Sequence, residues 1–313
     1  MQSKPINLGI VGVGKIVQDQ HLPSIRSNSD FHLLATASRN GVVPGVAAYK
    51  TIEAMVAAEP ELHAVALCMP PQYRFAAAQV ALQHGLHVLL EKPPGATVSE
   101  VNELVALANG KGLSLYATWH SRHGSAVSVA KQRLASSVVQ SVKLTWKEDV
   151  RKWHPGQDWI WQAGGLGVFD PGINGLSILT DVLSESMFVS SAHLEFPENR
   201  AAPIAASINF ISASGKRIPA EFDWRQTGDE VWDIEFITSD GLIKISHGGG
   251  SLSVDGQLVE LPESSEYCEY QAIYARFSEL IQQAQSDVDL RPLQLVADAF
   301  MLAERSTVAA FTG

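Results

Sequence analysis

Residues 6–17 read INLGIVGVGKIV, and they decide how the first part of the chain is built. Ile6–Val11 is a short apolar run suited to a buried strand, Gly12–Lys15 is a tight turn, and Ile16–Arg26 carries a helical pattern. Pro23 marks a kink or an early end in that helix. Gly12 and Gly14 fill the first two glycine positions of a dinucleotide fingerprint. There the chain turns sharply, and its backbone can approach a pyrophosphate seated on the helix N-terminus. The third position holds Val17 rather than Gly or Ala, which predicts slightly wider packing of the helix on the sheet. Two glycines alone would suit a plain strand–helix turn. Their place at the first turn of a βαβ unit favours the dinucleotide reading.

Outward from that turn the same alternation continues. Phe31–Ser38, His63–Met69, His87–Glu91 and Leu113–Trp119 read as strands, with helical stretches between them. Thr97-Val98-Ser99-Glu100 has the form of a capping box and opens a helix running to about Asn109-Gly110. Strands alternating with helices over this length predict an α/β fold with a doubly wound parallel sheet. After about Ser121 the rhythm changes. Extended stretches dominate from Met187 to Glu260, and Asp240-Gly241 and Asp255-Gly256 are hairpin-type turns. Two helical patterns close the chain. The prediction is therefore two domains, 1–121 and 122–313, the second an α+β domain with a mostly antiparallel sheet. An open sheet face needs a cover, so a homo-oligomer is expected, with a dimer through the second-domain sheet as its simplest form.

Bulk composition narrows the function classes. The chain has 313 residues, 46% apolar and 18% charged, with a formal net charge of −10. No basic run stands out, so neither nucleic acid nor an anionic membrane is an expected partner. Cys68 and Cys268 lie far apart in strongly patterned segments, which favours free thiols and a cytoplasmic setting over a disulfide. No signal peptide and no 18-residue apolar span is apparent.

The second strand should end at Ser38-Arg39. A hydroxyl and a guanidinium suit the 2′-phosphate of NADP, whereas a chain built for NAD usually has a carboxylate at this point. NADP is thus the expected cofactor, with NAD also accepted. A solvated surface arginine is the plainer alternative. Gly12, Gly14, Lys15, Ile16, Ser38, Arg39, Pro70, Glu91 and Lys92 make up the expected cofactor contacts. Glu91-Lys92-Pro93 follows a strand expected beside the cofactor, which would point Lys92 into the ligand crevice, and Pro93 could fix the turn through a cis bond.

Residues 148–174, EDVRKWHPGQDWIWQAGGLGVFDPGIN, hold acids, a histidine, an asparagine and three tryptophans, Trp153, Trp159 and Trp161. Asp170 and Asn174 are four apart and share one face of any helix that begins there. Ordinary helix capping would also account for an Asp before Pro-Gly. Acids, amides and indoles suit a polyhydroxylated ligand, with polar groups reading hydroxyls and rings covering C–H faces. His120, Glu148, Trp153 and His154 are the candidate sugar contacts, although any one histidine could be structural. A metal site drawn from His120, His123, His154 and Asp170 lacks tight ligand spacing and is not expected.

The GVGK turn, the later EKP and the acid-bearing helix start together resemble the glucose–fructose oxidoreductase, inositol dehydrogenase and rhizopine-catabolism family over nearly the whole chain. GKIVQDQHLP, LEKPPGAT, WKEDVRKWHPGQDWIW and GGLGVFDPGIN resemble more narrowly its bacterial branch of L-arabinose and D-galactose 1-dehydrogenases. The resemblance implies an N-terminal Rossmann domain and a last helix, about 292–311, packed back on it. It also implies a catalytic group of Lys92, Asp170 and Asn174. Many relatives carry histidine where Asn174 stands, and an amide cannot shuttle a proton, so the base is either Asp170 or Lys92. The implied reaction is hydride transfer from C1 of a monosaccharide. L-Arabinose, D-galactose and D-fucose differ only at C5, so one pocket could take all three. Reduction of a keto-sugar or imine, oxidation of a dihydrodiol, or a cofactor-bound sugar sensor are the competing readings.

Overall fold

The computed structural model describes residues 4–261 and 268–312. These residues divide into two compact units: residues up to 120 with 268–289, and residues 121–261 with 290–312.

The first unit opens with β1 (Ile6–Val11) and a helical stretch over 15–26. That stretch is wound as a π-helix at Val17–His21 before it tightens into α1 (Leu22–Arg26), with Pro23 in the first turn of α1. The wider winding begins at Val17, where a third small residue would otherwise stand, and the Val17 side chain is fully buried in the core. There follow β2 (Phe31–Ala37), β3 (Ala47–Tyr49), α2 (Ile52–Ala58), β4 (Ala64–Leu67), α3 (Arg74–Gln83), β5 (His87–Leu90), α4 (Val98–Lys111) and β6 (Leu115–Ala117). The capping box at Thr97 and Glu100 forms as its spacing predicts, and Gly112 closes α4 in the left-handed conformation, φ 66°.

The six strands pair in parallel in the order β3-β2-β1-β4-β5-β6. The central strands read as continuous apolar runs because both faces of the sheet are covered. Met55, Ala78, Leu82, Leu104 and Ala108 pack on one face. Leu22, Ile25, Tyr274 and Phe277 pack on the other. The strand order reverses at β1, so the carboxyl ends of β1 and β4 flank the switch point where open α/β sheets bind their ligands.

The second unit runs through α5 (Ser125–Ala135), β7 (Val139–Lys147), α6 (Val150–Trp153), α7 (Phe169–Val182), β8 (Met187–Pro197), β9 (Ala205–Ser212), β10 (Arg217–Asp223), β11 (Val231–Thr238), β12 (Gly241–Ser246), β13 (Ser251–Val254) and β14 (Gln257–Leu258). The tail then supplies α8 (Cys268–Gln283) to the first unit, and α9 (Arg291–Leu302) and β15 (Glu304–Val308) to the second. The nine-stranded sheet has the order β14-β13-β12-β11-β7-β10-β9-β8-β15. It is antiparallel except where β10 meets β7 and β15 meets β8. Burial alternates along β10 and along β9 from Ala206 onward, so one sheet face is core and the other is open. Helix α7 lies very close to the core face. A Cβ on Gly172 would stand 2.5 Å from Phe222 Cδ1, and one on Gly175 would stand 2.7 Å from Trp146 Cε3.

The tail departs from expectation. The helix that belongs to the first unit is α8, whose Tyr270, Ile273, Tyr274, Phe277 and Leu280 enter the core there. The last helix, expected over about 292–311, ends at Leu302 and packs in the second unit against α7 and β8. Residues 304–308 are a strand because they pair in register with His193–Pro197.

Candidate active site

At the carboxyl end of β1, Gly12 adopts φ 89°, and its N–H donates to Ala37 O at 2.8 Å. A Cβ there would lie 2.6 Å from Met69 N, so conformation and close approach both call for glycine. Gly14 differs, because a Cβ on it would meet no protein atom within 4 Å. The backbone at Gly14 is thus open to a ligand, at the start of the first helix. Ile16 is 37% exposed in the first turn of that helix. Lys15 forms an ion pair with Asp19 one turn on.

Beyond β2, Ser38 Oγ accepts from Gly41 N at 3.2 Å, and Arg39 is exposed. The Arg39 guanidinium lies over the Tyr73 ring, 5.5 Å from its centroid. Lys50 Nζ donates to Arg39 O at 2.9 Å. A cation therefore stands beside a hydroxyl at the end of the second strand, with no carboxylate in its place. Pro70, after β4, accepts from Tyr73 N at 3.1 Å. The glycine turn, the open space at Gly14 and the Ser38-Arg39 pair all fit a dinucleotide.

Lys92 follows β5, is partly exposed, and precedes a cis peptide bond to Pro93. Arg74, buried, donates to the carbonyls of both Glu91 and Pro93, which fixes the backbone on either side of Lys92. Glu91, expected to touch the cofactor, turns its carboxylate inward. Its carboxylate is buried and occupied by His21, Tyr270 and the Lys92 N–H. Burial pushes the Glu91 carboxyl up, but the hydrogen bond and charge of His21, with the charges of His120 and Arg74, outweigh it and hold it at about 2. His120, expected as a sugar contact, has Nδ1 2.6 Å from Glu269 Oε2 and stacks on Tyr270 at 5.7 Å.

The second unit gathers the other candidates. Asp170 lies in the first turn of α7, buried, with its Oδ2 3.6 Å from His154 Nε2. No side chain caps this helix at Val168, so Asp170 is not the N-cap. Asn174 sits one turn further along, and its backbone carbonyl accepts from Ser177 Oγ at 2.7 Å. Glu148 is buried at the end of β7, with one oxygen accepting from Trp224 Nε1 at 3.3 Å and the other from Trp232 Nε1 at 2.9 Å. His154 packs on Trp224 at 5.3 Å, and Trp161 packs on the same indole at 5.0 Å. Trp153 is 41% exposed, packs on Trp232 at 5.7 Å and donates to Glu230 Oε1. Glu148, Trp153, His154 and Asp170 thus share one aromatic-walled region of this unit. Sequence reading missed Trp224 and Trp232. Both lie in strand-like stretches where a tryptophan looks like core, and only strand pairing brings their N–H groups to Glu148. It also missed His21 and Tyr270, which reach Glu91 from elsewhere in the first unit. Among the described residues, no group of three or more His, Cys, Asp or Glu side chains could hold a metal ion, and no helix is long and apolar enough to cross a membrane.

Residues 6–118 match an oxidoreductase family with an NAD-binding Rossmann fold. The chain is 44% identical to a galactose 1-dehydrogenase of Pseudomonas fluorescens over 98% of its own length and 99% of that protein's. It superposes on the crystal structure of a D-galactose-1-dehydrogenase protein from Rhizobium etli with a TM-score of 0.95 and 60% identity, covering 100% of this chain and 99% of that one. A 3-ketoreductase from Actinomadura kijaniata, solved with NADP and TDP-benzene, shares the fold with a TM-score of 0.83 at 17% identity, over 97% and 99% of the two chains. The chain belongs to the GFO/IDH/MocA oxidoreductase family. Within it, the chain is an oxidoreductase acting on a CH–OH group.

Proposed function

We propose that this chain is an aldose 1-dehydrogenase that prefers NADP, accepts NAD, and oxidises C1 of D-galactose, L-arabinose or D-fucose to the aldonolactone. The observation that carries the reading is the buried Asp170 beside His154, one turn before Asn174, in a region walled by indoles. The similarity to two galactose 1-dehydrogenases supports the substrate class. When bound, the nicotinamide supplies the hydride acceptor for C1. Asp170 takes the proton of the C1 hydroxyl, and His154 offers that proton a way onward. Lys92 donates to the C1 oxygen and stabilises its developing negative charge. The Asn174 amide orients the C1 hydroxyl or the ring oxygen. Glu148, fixed by two indole donors, accepts from sugar hydroxyls, and Trp153 covers a C–H face of the ring. Ser38 and Arg39 bind the 2′-phosphate of NADP.

The test is cofactor reduction with D-galactose, L-arabinose, D-fucose and D-glucose, each with NADP and with NAD. Turnover of the first three, little of glucose, and a preference for NADP are expected. Binding of NADP without turnover of any aldose would remove the substrate assignment in favour of a keto-sugar reductase or a sensor.

The reading extends to a homodimer through the open face of the nine-stranded sheet. Two exposed cross-strand apolar pairs on that face support it, Phe188 with Ile211 and Ile237 with Leu242. Light scattering should give twice the chain mass of 33.8 kDa, and a single chain's mass would refute it.

A further inference from the structure

Behind Lys92 the first unit buries a connected set of titratable groups that the proposed chemistry does not use. His21 is fully buried, with both ring nitrogens engaged. Nε2 lies 3.0 Å from Glu91 Oε1, and Nδ1 lies 2.7 Å from the Tyr274 hydroxyl. Tyr270 donates its hydroxyl to the same Glu91 oxygen at 2.8 Å. The other Glu91 oxygen accepts the backbone N–H of Lys92 at 2.9 Å. Cys68 Sγ closes the cluster, 3.6 Å from His21 Nε2. Burying a carboxylate is costly unless every oxygen is paired, and a partner that is removed leaves the charge uncompensated. The Glu91 carboxylate therefore stays in its place, and on the Lys92 amide, only while its partners do. Burial draws the His21 ring toward its neutral form, but Cys68, Tyr274 and Glu91 together raise it well above its usual value. His21 ends the π-wound stretch seven residues after Gly14, so this set also ties the dinucleotide turn to the EKP segment.

We propose that His21 is a positioning residue for Lys92: it anchors the Glu91 carboxylate, which in turn clamps the Lys92 backbone at the end of β5. The proposal rests on the reading of Lys92 as the donor to the substrate oxygen. It is distinct from that reading, because the clamp can be observed without turnover. His21→Leu removes the anchor. His21→Gln keeps an N–H donor on a side chain of similar reach.

The experiment uses the full chain labelled with ¹⁵N-lysine, the Lys92 amide being identified by its loss in Lys92→Arg. Hydrogen exchange at that amide should quicken about ten-fold in His21→Leu, the worth of one hydrogen bond, and return to within about three-fold of the parent in His21→Gln. Other lysine amides should be unchanged. In parallel, His21→Leu should lower kcat about ten-fold with the sugar KM and the NADP Kd within about two-fold of the parent, and His21→Gln should restore kcat. Should His21→Leu fail to fold, Tyr270→Phe removes the other donor to Glu91 and should move the same amide in the same direction. An unchanged Lys92 amide in the folded variant overturns the proposal, as does a His21→Gln protein no better than His21→Leu. If the parent turns over no aldose, the substrate reading fails while the amide exchange still decides the role of His21.

Discussion

Arg39 and Asp170 are the two side chains with the most specific proposed roles, one toward the cofactor and one toward the sugar. Arg39 stands exposed at the end of β2, stacked on Tyr73, where a carboxylate would serve NAD. Arg39→Ala should weaken NADP binding by roughly 10- to 100-fold, the worth of a charge-assisted hydrogen bond, and leave NAD binding nearly unchanged. Titration calorimetry with both cofactors checks this, and equal losses for the two would contradict it. Asp170→Asn keeps the size and burial of the side chain but removes its basicity. Its kcat should fall by about 10² to 10⁴ with NADP affinity intact. If Lys92 were the base instead, the loss would be far smaller. Both residues were singled out from sequence because each sits at a position that is read locally, at a strand end or in a first helical turn. Glu148 stood out in the sequence as an acid close to the tryptophan-rich stretch. Its two indole partners did not, since Trp224 and Trp232 lie 76 and 84 residues further along the chain.

At the scale of the element, the π-wound stretch, β5 and α8 meet in the buried set around Glu91, and this gives the first unit a definite pH response. The Glu91 carboxyl is depressed from an ordinary 4.5 to about 2, so its contribution is present above 4.5 and lost as pH falls toward 2. His21 is raised above an ordinary 6.5, so its contribution is complete below 6.5 and lost as pH rises through the folded-state value. Both are whole between about 4.5 and 6.5, and thermal melting across that window should show a plateau. Glu91→Gln should flatten the acid side of the profile, and an unchanged acid limb would show that the carboxylate does not govern it. Helix α7 offers a packing test. Its approach to β7 requires the bare backbone at Gly175, so Gly175→Ala should destabilise the second unit by about 1–3 kcal/mol in denaturant melts. A change under about 0.5 kcal/mol would mean that the helix shifts freely. The alternation of strands and helices up to residue 120, and the capping box at Thr97, were legible because their signals are local. The allocation of α8 and α9 was not. Both helices show an apolar stripe, and a stripe says that a helix is covered, without saying by which sheet.

For the whole molecule, the first unit offers a glycine turn and an arginine-marked strand end, and the second offers a carboxylate, an amide and indole walls. The dinucleotide half was readable from a short motif in its proper place. The indole-walled region came into view only once strand pairing had brought Trp224 and Trp232 to Glu148, and His154 to Trp224. In the proposed reaction, hydrogen leaves C1 of the sugar as hydride. The direct measurement is turnover of D-galactose carrying deuterium at C1, with mass spectrometry of the reduced cofactor. Hydride transfer from C1 leaves one deuterium on the nicotinamide ring and none at C1 of the lactone product. Reduced cofactor without deuterium, with the label retained in the oxidised sugar, would place the chemistry at another carbon and contradict it.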